Sequence, residues 1–546
     1  MVLKPKILEL LKKRGIGKDE IDEFISPSPK KTHDPSLLHN IEEGVDLILS
    51  AIESGKRICI YGDYDADGIT STVIMTDVIS ELTDDLTYYV PSRFDEGYGL
   101  NMDAVDMIKK DGVKLLVTVD CGSISVEEVA HARELGMDVI VTDHHKVTDV
   151  KAGCTVINPN QPDCDYPCPH IAGCGVAFKL CQAIVAAANL DKRVLYRNLD
   201  MLAIGTIGDI VPLVDENRTF AKYGLRAINA GARRNLNILI EAAGLTPGKI
   251  TTRDVSFGIV PRLNAAGRLE HASLAIEMFL EEDEGRAREK AEKLCRLNDE
   301  RKSKQESIYE KCRQIVEEKY KNEDVFLLYM PDAHEGVAGI VAGKVKERYN
   351  RPTILLTDTD EGCLKATGRS VEGVDLFKLL KENETLFLKF GGHSAACGFT
   401  MRKENLEKLR ENLKKRLKKM LTEDSSILTK RIEAEIVLEP EDISMDFMHQ
   451  LDLIEPCGCM NERPLMGVAG RSVGIRRIGK KGQYLQFVQE LNDGTTLRCT
   501  NFNDPDGIEK RINEKPENTV IGRMSINSWN GSESIRMTVE GFENED

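Results

Sequence analysis

The chain is short of positive charge. It carries 74 Lys and Arg against 90 Asp and Glu, a net charge of −16. Non-specific affinity for a nucleic-acid duplex comes mainly from phosphate contacts. Tight duplex binding is therefore disfavoured, and any nucleic-acid contact needs a localised basic groove. Long apolar runs are missing as well. None reaches 18 residues, so no transmembrane helix is indicated. The 14 cysteines lack the spacing of a disulfide framework, and no secretory leader is evident, so the expectation is a reducing cytoplasm. Aromatic residues are scarce at 5%, but Leu, Ile and Val remain plentiful enough for a core. A chain of 546 residues is too long for one core, and two to four domains are expected.

What the chain does have is acid at the ends of apolar runs. Arg57-Ile58-Cys59-Ile60-Tyr61-Gly62 leads into Asp63-Tyr64-Asp65-Ala66-Asp67-Gly68. Leu115-Leu116-Val117-Thr118-Val119 leads into Asp120, and Val139-Ile140-Val141-Thr142 into Asp143-His144-His145. Short apolar runs alternating with helical patterns read as parallel strands of an α/β sheet. Such sheets bind ligands beyond the carboxyl ends of their strands. A fourth segment, Ala203-Ile204-Gly205-Thr206-Ile207-Gly208, has the same form and leads into Asp209. An Asp after a strand is ordinarily a helix N-cap. Caps do not, however, come as Asp-x-Asp-x-Asp-Gly together with Asp-His-His. Carboxylates gathered this closely repel one another unless something neutralises them. Asp oxygens with neutral imidazoles suit Mn²⁺, Mg²⁺ or Zn²⁺. Two metals about 3.5–4 Å apart, bridged by a carboxylate and water, is the usual arrangement for phosphoester hydrolysis.

These four segments resemble the phosphoesterase motifs of the DHH superfamily, and the match narrows to its RecJ branch, the single-strand-specific exonucleases. Pro91-Ser92-Arg93 with Glu96-Gly97-Tyr98-Gly99-Leu100 resembles the RecJ segment after the first motif. So do Ile171-Ala172-Gly173-x-Gly175-Val176-Ala177-Phe178-Lys179-Leu180 and Pro261-Arg262-Leu263-Asn264-Ala265-Ala266-Gly267-Arg268. His334-Glu335-Gly336-Val337-Ala338-Gly339, Gly368-Arg369-Ser370 and Gly391-Gly392-His393 resemble the DHH-associated domain. Pro456-x-Gly458-x-x-Asn461-x-x-Pro464 resembles the start of an oligonucleotide-binding module.

The resemblance implies two α/β lobes, a parallel-sheet DHH domain and a smaller DHH-associated domain, joined by a long helix and followed by a small OB-like β-barrel. The expected divisions are an N-terminal helical segment and linker over 1–35, the DHH domain over 36–230, a helical connector over 231–322, the DHH-associated domain over 323–425 and the OB-like domain over 426–546. The implied activity is metal-dependent 5′→3′ hydrolysis of single-stranded DNA to mononucleotides in repair, recombination or replication, with two Mn²⁺ or Mg²⁺ ions per site. Asp120 would bridge both metals. Asp63 and Asp65 would complete one site, and Asp67, His144 and Asp209 the other. Asp143 would orient an imidazole, and His145 would contact the scissile phosphate. Substrate contacts would come from Arg93, a candidate for the 5′-terminal phosphate, and from Arg262, Asn264, Arg268, Arg369, Ser370, Gly391, Gly392 and His393. One departure is Ser394 after His393, where many RecJ proteins have an apolar residue or proline; it bears on fine substrate shape. The expected partners are single-stranded DNA, RNA as a second candidate, and replication or repair proteins, for a monomer or weak oligomer without a membrane association. Action on short RNA or cyclic dinucleotides, or a scaffolding role, are the alternatives.

Other stretches carry their own readings. Thr70 through Leu82 reads as a helix with Val73, Ile74, Val78 and Leu82 on one face. Residues 275–322 read as a long charged helix or two with a narrow apolar stripe, either a packed surface helix or, as the resemblance implies, a spacer joining two lobes. Residues 324–329 and 352–357 read as strands flanking a helix over 337–349, and 402–421 as an amphipathic helix with a basic face. Ile432–Val437 and Gly482–Phe487 read as strands, with Asn492-Asp493-Gly494 a hairpin turn. Tyr484, Phe487, Phe502 and Trp529 are candidates for base stacking. Cys164, Cys168, His170 and Cys174 cluster, but without the usual spacing of a zinc site.

Overall fold

The computed structural model describes residues 3–94, 96–147, 152–359, 362–429, 431–529 and 532–543. The chain divides into two compact units. One comprises Ile16–Asp299 with Asp452–Arg463; the other comprises Met1–Gly15, Glu300–Leu451 and Pro464–Asp546. The architecture is the expected one: a parallel-sheet α/β domain, a further α/β domain and a C-terminal closed β-barrel.

The first unit is built on five parallel strands: β1 (Ile58–Tyr61), β2 (Leu86–Tyr89), β3 (Leu115–Val119), β4 (Asp138–Thr142) and β5 (Thr155–Ile157). Their order is β2-β1-β3-β4-β5. β1, β3 and β5 are buried throughout, as strands covered by helices on both faces must be. Register positions the site. Tyr61 pairs with Thr118, and Thr118 with Val141. Asp63, Asp120 and Asp143 each lie two residues beyond this row, so they emerge together at one sheet edge. The next helix runs Ala66–Ile79, earlier than the apolar pattern suggests, because the Asp65 carboxylate caps it by accepting from the N–H groups of Asp67 and Gly68. The fourth acid differs from expectation. Residues 199–208 form a helix, Leu199–Gly208, with Asp209 as its C-cap. An all-apolar run of this kind does not distinguish a buried strand from a buried helix, and this one is buried on all sides.

Residues 16–40 belong to the first unit. The Arg218 guanidinium stacks 3.8 Å from the Phe24 ring and donates to the Phe24 carbonyl. It also donates to the carbonyls of Ile454, Glu455 and Pro456, which holds Asp452–Arg463 in this unit.

The charged stretch is one helix of 32 residues, Glu284–Ile315. In the second unit, a mixed sheet contains β6 (Phe326–Tyr329), β7 (Thr353–Asp358), β8 (Cys363–Arg369), β9 (Phe387–His393) and β10 (Ala396–Arg402), in the order β6-β7-β8-β10-β9. Helix Glu335–Tyr349 links the parallel pair β6 and β7. Helix Leu406–Glu423 buries Leu409, Leu413 and Leu417. Much of its basic face is ion-paired or packed: Lys414 meets Glu323, Arg416 meets Glu382, and Arg410 lies over the Tyr320 ring.

The barrel comprises β12 (Met466–Ile478), β13 (Tyr484–Glu490), β14 (Thr496–Asn501), β15 (Glu517–Trp529) and β16 (Ser532–Phe542), closed by the pairing of β12 with β15, and β11 (Ile436–Leu438) adds to β12. Closure removes the exposed edges. β11 is shorter than the alternation at 432–437 suggests. Gly494, at φ +90°, makes the turn between β13 and β14. Among the described residues no helix is long and apolar enough to cross a membrane.

Candidate metal centre

Strand register, one helix start and one helix end bring the acids and histidines together. Three groups have ligand atoms mutually within 4.8 Å: Asp63, Asp65 and Asp120; Asp67, His144 and Asp209; and Asp120, His144 and His145. His144 Nε2 lies 3.1 Å from Asp120 Oδ1, 3.6 Å from Asp209 Oδ2 and 3.8 Å from Asp67 Oδ2. Asp120 belongs to two of these groups and is 2% exposed.

The carboxylates are held from behind. Both oxygens of Asp67 accept N–H groups from the start of helix Gly173–Ala187, Oδ2 from Gly173 at 2.6 Å and Oδ1 from Cys174 at 2.9 Å. A helix N-terminus favours an anion. Glycine is required at two of these approaches. A Cβ on Gly173 would lie 2.6 Å from Asp120 Oδ1, and one on Gly205 2.7 Å from Asp67 Oδ1. Asp120 has φ +61°, which turns its side chain across the strand end at some steric cost. Asp143 points into protein: it accepts from the backbone N–H groups of Ser123, His144 and His145, and lies 2.8 Å from His145 Nδ1. Asn160 donates to the His144 carbonyl and Asn158 to that of His145, so the Asp-His-His turn is tied to the chain after β5.

The electrostatics follow from this crowding. Burial, then the charges of Asp67, Asp65, Asp63 and Asp209, push the Asp120 carboxyl well up. Burial and Asp65 raise Asp63, burial and Asp67 raise Asp65, and burial with Asp67 and Asp65 raises Asp209 to about 8. Burial lowers His144 and so favours its neutral, ligating form. The Asp143–His145 pair is the exception. Burial disfavours both charges, but their mutual hydrogen bond and attraction outweigh it, lowering Asp143 to about 2 and raising His145 to about 9. Asp63 Oδ1, Asp120 Oδ1 and His144 Nε2 are buried without a hydrogen-bond partner. Buried polar atoms are normally satisfied. Lone pairs on two carboxylates and an imidazole, aimed at one another, are the donor set of a divalent cation.

At the mouth, His145 is half exposed, and the Tyr98 hydroxyl lies 3.1 Å from its Nδ1. The rings of Tyr98 and Tyr64 meet edge to face, and Arg93 lies 4.9 Å over the Tyr64 ring. Arg93 partly offsets the rise that burial and Asp65 impose on Asp63, and Gly267, next to Arg268, packs against the loop carrying Tyr64, since a Cβ there would lie 2.6 Å from the Tyr64 carbonyl oxygen. Glu96 fixes the loop carrying Arg93 and Tyr98. Its carboxylate accepts from the Ser92 N–H, the Tyr89 hydroxyl and the Asn101 amide. Arg262 is not at the mouth. It is buried and donates to the carbonyls of Gly258 and Ala243 and to Cys295 Sγ, which turns it into the protein rather than towards substrate as expected. Asn264 keeps a buried, unpartnered Oδ1.

In the second unit, Arg369 on β8 and His393 on β9 both pair with Ala396 of β10, so the strand register sets them on either side of it. Gly391 and His393 are exposed, and Gly392 takes φ +137°. Ser370 is mostly buried, and its hydroxyl donates to the Val374 carbonyl. In the barrel, Phe487 is core, Phe502 is 47% exposed, and Tyr484 packs edge-on against Phe502. The side chain of Trp529 lies outside the described residues. Cys174 Sγ contacts the Leu202 carbonyl and Thr206 Oγ1, and among the described residues no group able to hold a cation includes the cysteine cluster.

Sequence reasoning missed Tyr64, Tyr98, Glu96, Asn158 and Asn160 as site residues. The available signals were the Asn-Pro-Asn run directly after an apolar β-type segment and the Tyr within Glu-Gly-Tyr-Gly.

Models of three families match the chain: the DHH family N-terminal domain over residues 57–206, the DHHA1 domain over 322–419 and the RecJ OB domain over 434–541. A single-stranded-DNA-specific exonuclease RecJ of Bacillus subtilis is 35% identical over 543 residues, covering 98% of this chain and 67% of that protein. That of Escherichia coli is 33% identical, covering 92% and 90%. The crystal structure of Thermus thermophilus RecJ in complex with Mn²⁺ superposes with a TM-score of 0.81 at 29% identity, covering 100% of this chain and 76% of that one. By these likenesses, which span all three domains and the acid-rich strand ends, the chain belongs to the RecJ family of single-stranded-DNA-specific exonucleases in the DHH superfamily.

Proposed function

We propose that this protein is a metal-dependent exonuclease that hydrolyses single-stranded DNA from its 5′ end to mononucleotides, acting in the cytoplasm in repair, recombination or replication. The observation that carries the reading is the buried ring of carboxylates and imidazole whose partnerless atoms face one another. Asp63, Asp65 and Asp120 would hold one Mn²⁺ or Mg²⁺, and Asp67, His144 and Asp209 the other, with Asp120 shared. When bound, the cations supply Lewis acidity at the phosphoryl oxygens and lower the pKa of the attacking water.

The chain's own residues do the rest. Asp143 holds the His145 ring by its Nδ1–H, which leaves Nε2–H of the protonated imidazole to donate to a non-bridging oxygen of the scissile phosphate. Arg93 takes the 5′-terminal phosphate, and Arg268 supports it from the same mouth. Arg369, His393 and the exposed Gly391-Gly392 backbone are the second unit's phosphate-binding groups. Tyr484 and Phe502 stack unpaired bases. Monomer or weak oligomer is the expected state, with replication or repair proteins as further partners.

The test uses purified protein with Mn²⁺ or Mg²⁺ and oligonucleotides labelled at either end, as DNA and as RNA. Early release of a labelled mononucleotide from 5′-labelled single-stranded DNA supports the reading. Early release from the 3′ label, or from RNA alone, would keep the metal chemistry and overturn the substrate assignment.

A further inference from the structure

Ile210 follows Asp209 directly and is 71% exposed. It has φ +61°, a left-handed conformation that is an outlier for a β-branched residue. It stands just past the end of helix Leu199–Gly208, where glycine is the usual occupant. This chain does use glycine when only a helix end is required: Gly231 ends helix Asp215–Ala230 with φ +70°. Helix termination thus does not call for isoleucine, and burial does not repay it. A branched apolar side chain is kept in a strained, exposed position.

Its place explains why. Asp209 Oδ2 lies 3.6 Å from His144 Nε2. Gly208 is wedged, since a Cβ there would come within 3.2 Å of Ala66 Cβ, at the start of helix Ala66–Ile79, and 3.1 Å of Val260 Cγ2. The helix end is therefore fixed against the metal loop, and Ile210 is presented beside it. Segment Val255–Ile259 packs against the same helix and carries Phe257, 75% exposed.

We propose that Ile210 is an apolar platform for the nucleobase adjoining the scissile phosphate, with exposed Phe257 of the segment packed on the same helix as a second apolar group. An unpaired base has a free apolar face, whereas a paired and stacked base must first leave its stack to reach such a surface. The platform would thus give single-strand preference a local origin at the metal centre. This rests on the single-stranded-DNA reading above and names a base contact within it.

The experiment compares wild type, Ile210→Gly and Ile210→Val on two single-stranded oligonucleotides, one normal and one with abasic residues at its first two 5′ positions. Hydrolysis is read with Mn²⁺, and binding is read by anisotropy with Ca²⁺ in place of Mn²⁺. Wild type should prefer the normal strand about tenfold in kcat/KM, mainly through KM. Ile210→Gly should lose that preference while its Tm is unchanged or higher, since glycine takes this φ freely, and its Mn²⁺ affinity should stay within about twofold. Ile210→Val should restore the preference. If Ile210→Gly still prefers the normal strand tenfold, the platform is refuted and the exonuclease reading stands. If wild type hydrolyses neither strand yet binds the normal one better in an Ile210-dependent way, the platform stands and the exonuclease reading falls.

Discussion

Replacing Gly173 by alanine would perturb the metal centre without replacing any proposed ligand. The new Cβ would lie 2.6 Å from Asp120 Oδ1, 2.7 Å from its Cβ and 2.8 Å from its Cγ. Comfortable carbon contacts are about 3.5–4.0 Å, so Asp120 or the helix start must retreat by about 1 Å. Neither moves freely. Asp120 is buried with a left-handed backbone, and the Gly173 N–H is itself bonded to Asp67 Oδ2. Overpacking of this kind costs about 1–3 kcal/mol. If most of that strain falls on the metal-bound geometry, Mn²⁺ affinity drops about 10- to 100-fold, at about 1.4 kcal/mol per decade. Calorimetric titration with Mn²⁺ measures this directly, and hydrolysis at low and saturating Mn²⁺ should show partial rescue. Gly175→Ala is the control. Its Cβ would collide with the Ile171 side chain, in the apolar core, so it should lower Tm and leave metal affinity near wild type. Gly173→Ala binding Mn²⁺ as tightly as wild type, or Gly175→Ala losing as much affinity, would refute the reasoning.

Asp65→Asn should reduce exonuclease turnover at least about 10³-fold while raising the Tm of metal-stripped protein, because the amide oxygen can still cap the helix and one repelling charge is gone; an unchanged turnover would sink the ligand assignment. The pH dependence of metal-stripped protein should follow from Asp209 at about 8 and the raised Asp63 and Asp120. A carboxyl with a raised folded pKa gives its stability in full below the unfolded value and loses it as pH rises towards the folded one. With chelator, Tm should therefore fall between pH 5 and 8, and Mn²⁺ at pH 8 should reverse the fall; a flat profile would count against it. Arg218→Ala, which strips four backbone carbonyls of a buried guanidinium, should destabilise the protein by about 3 kcal/mol in denaturant melts with little change in kcat. Phe502→Ala should weaken binding of a 30-mer about tenfold by the loss of one stacked base and leave turnover of a trinucleotide unchanged.

How far the site could be read from sequence depended on whether a residue's role lies in its own segment. Asp63, Asp120 and Asp143 were legible because parallel-strand register carries local acid-after-strand patterns to one edge. The helix start at Ala66 was misplaced by apolar spacing alone, although its cap, Asp65, stood in plain view. Asp209 was placed in the cluster by its pattern but assigned the wrong element, since an apolar run buried all round has no period to betray a helix. Arg262 illustrates the opposite failure. Its motif suggested a substrate contact, but besides Gly258 one turn back its partners, Ala243 and Cys295, lie 19 and 33 residues away, and nothing local announces them. The supports of Asn158 and Asn160 are likewise tertiary.

The contrast with other buried carboxylates argues that the centre awaits a cation from outside the chain. Two acids buried away from the centre, Glu216 and Asp200, each meet a cation of the chain's own. Glu216 meets Lys179 at 2.8 Å with both side chains fully buried, and the Tyr166 hydroxyl donates to the same carboxylate. Asp200 meets Arg233 at 2.7 Å. A buried charge left unpaired costs several kcal/mol, so these pairings are what folding alone would favour. At the strand ends the chain does otherwise. Asp63 and Asp120 keep partnerless oxygens, His144 keeps a partnerless nitrogen, and the backbone at Asp120 is twisted to bring them together. Strain and repulsion concentrated in one place, in a fold that neutralises Glu216 and Asp200 with its own cations, are the mark of a site whose stability is completed on metal binding. The same logic accounts for a nucleic-acid enzyme with a net charge of −16: part of the excess acid is the ligand set itself, offset when the cations bind.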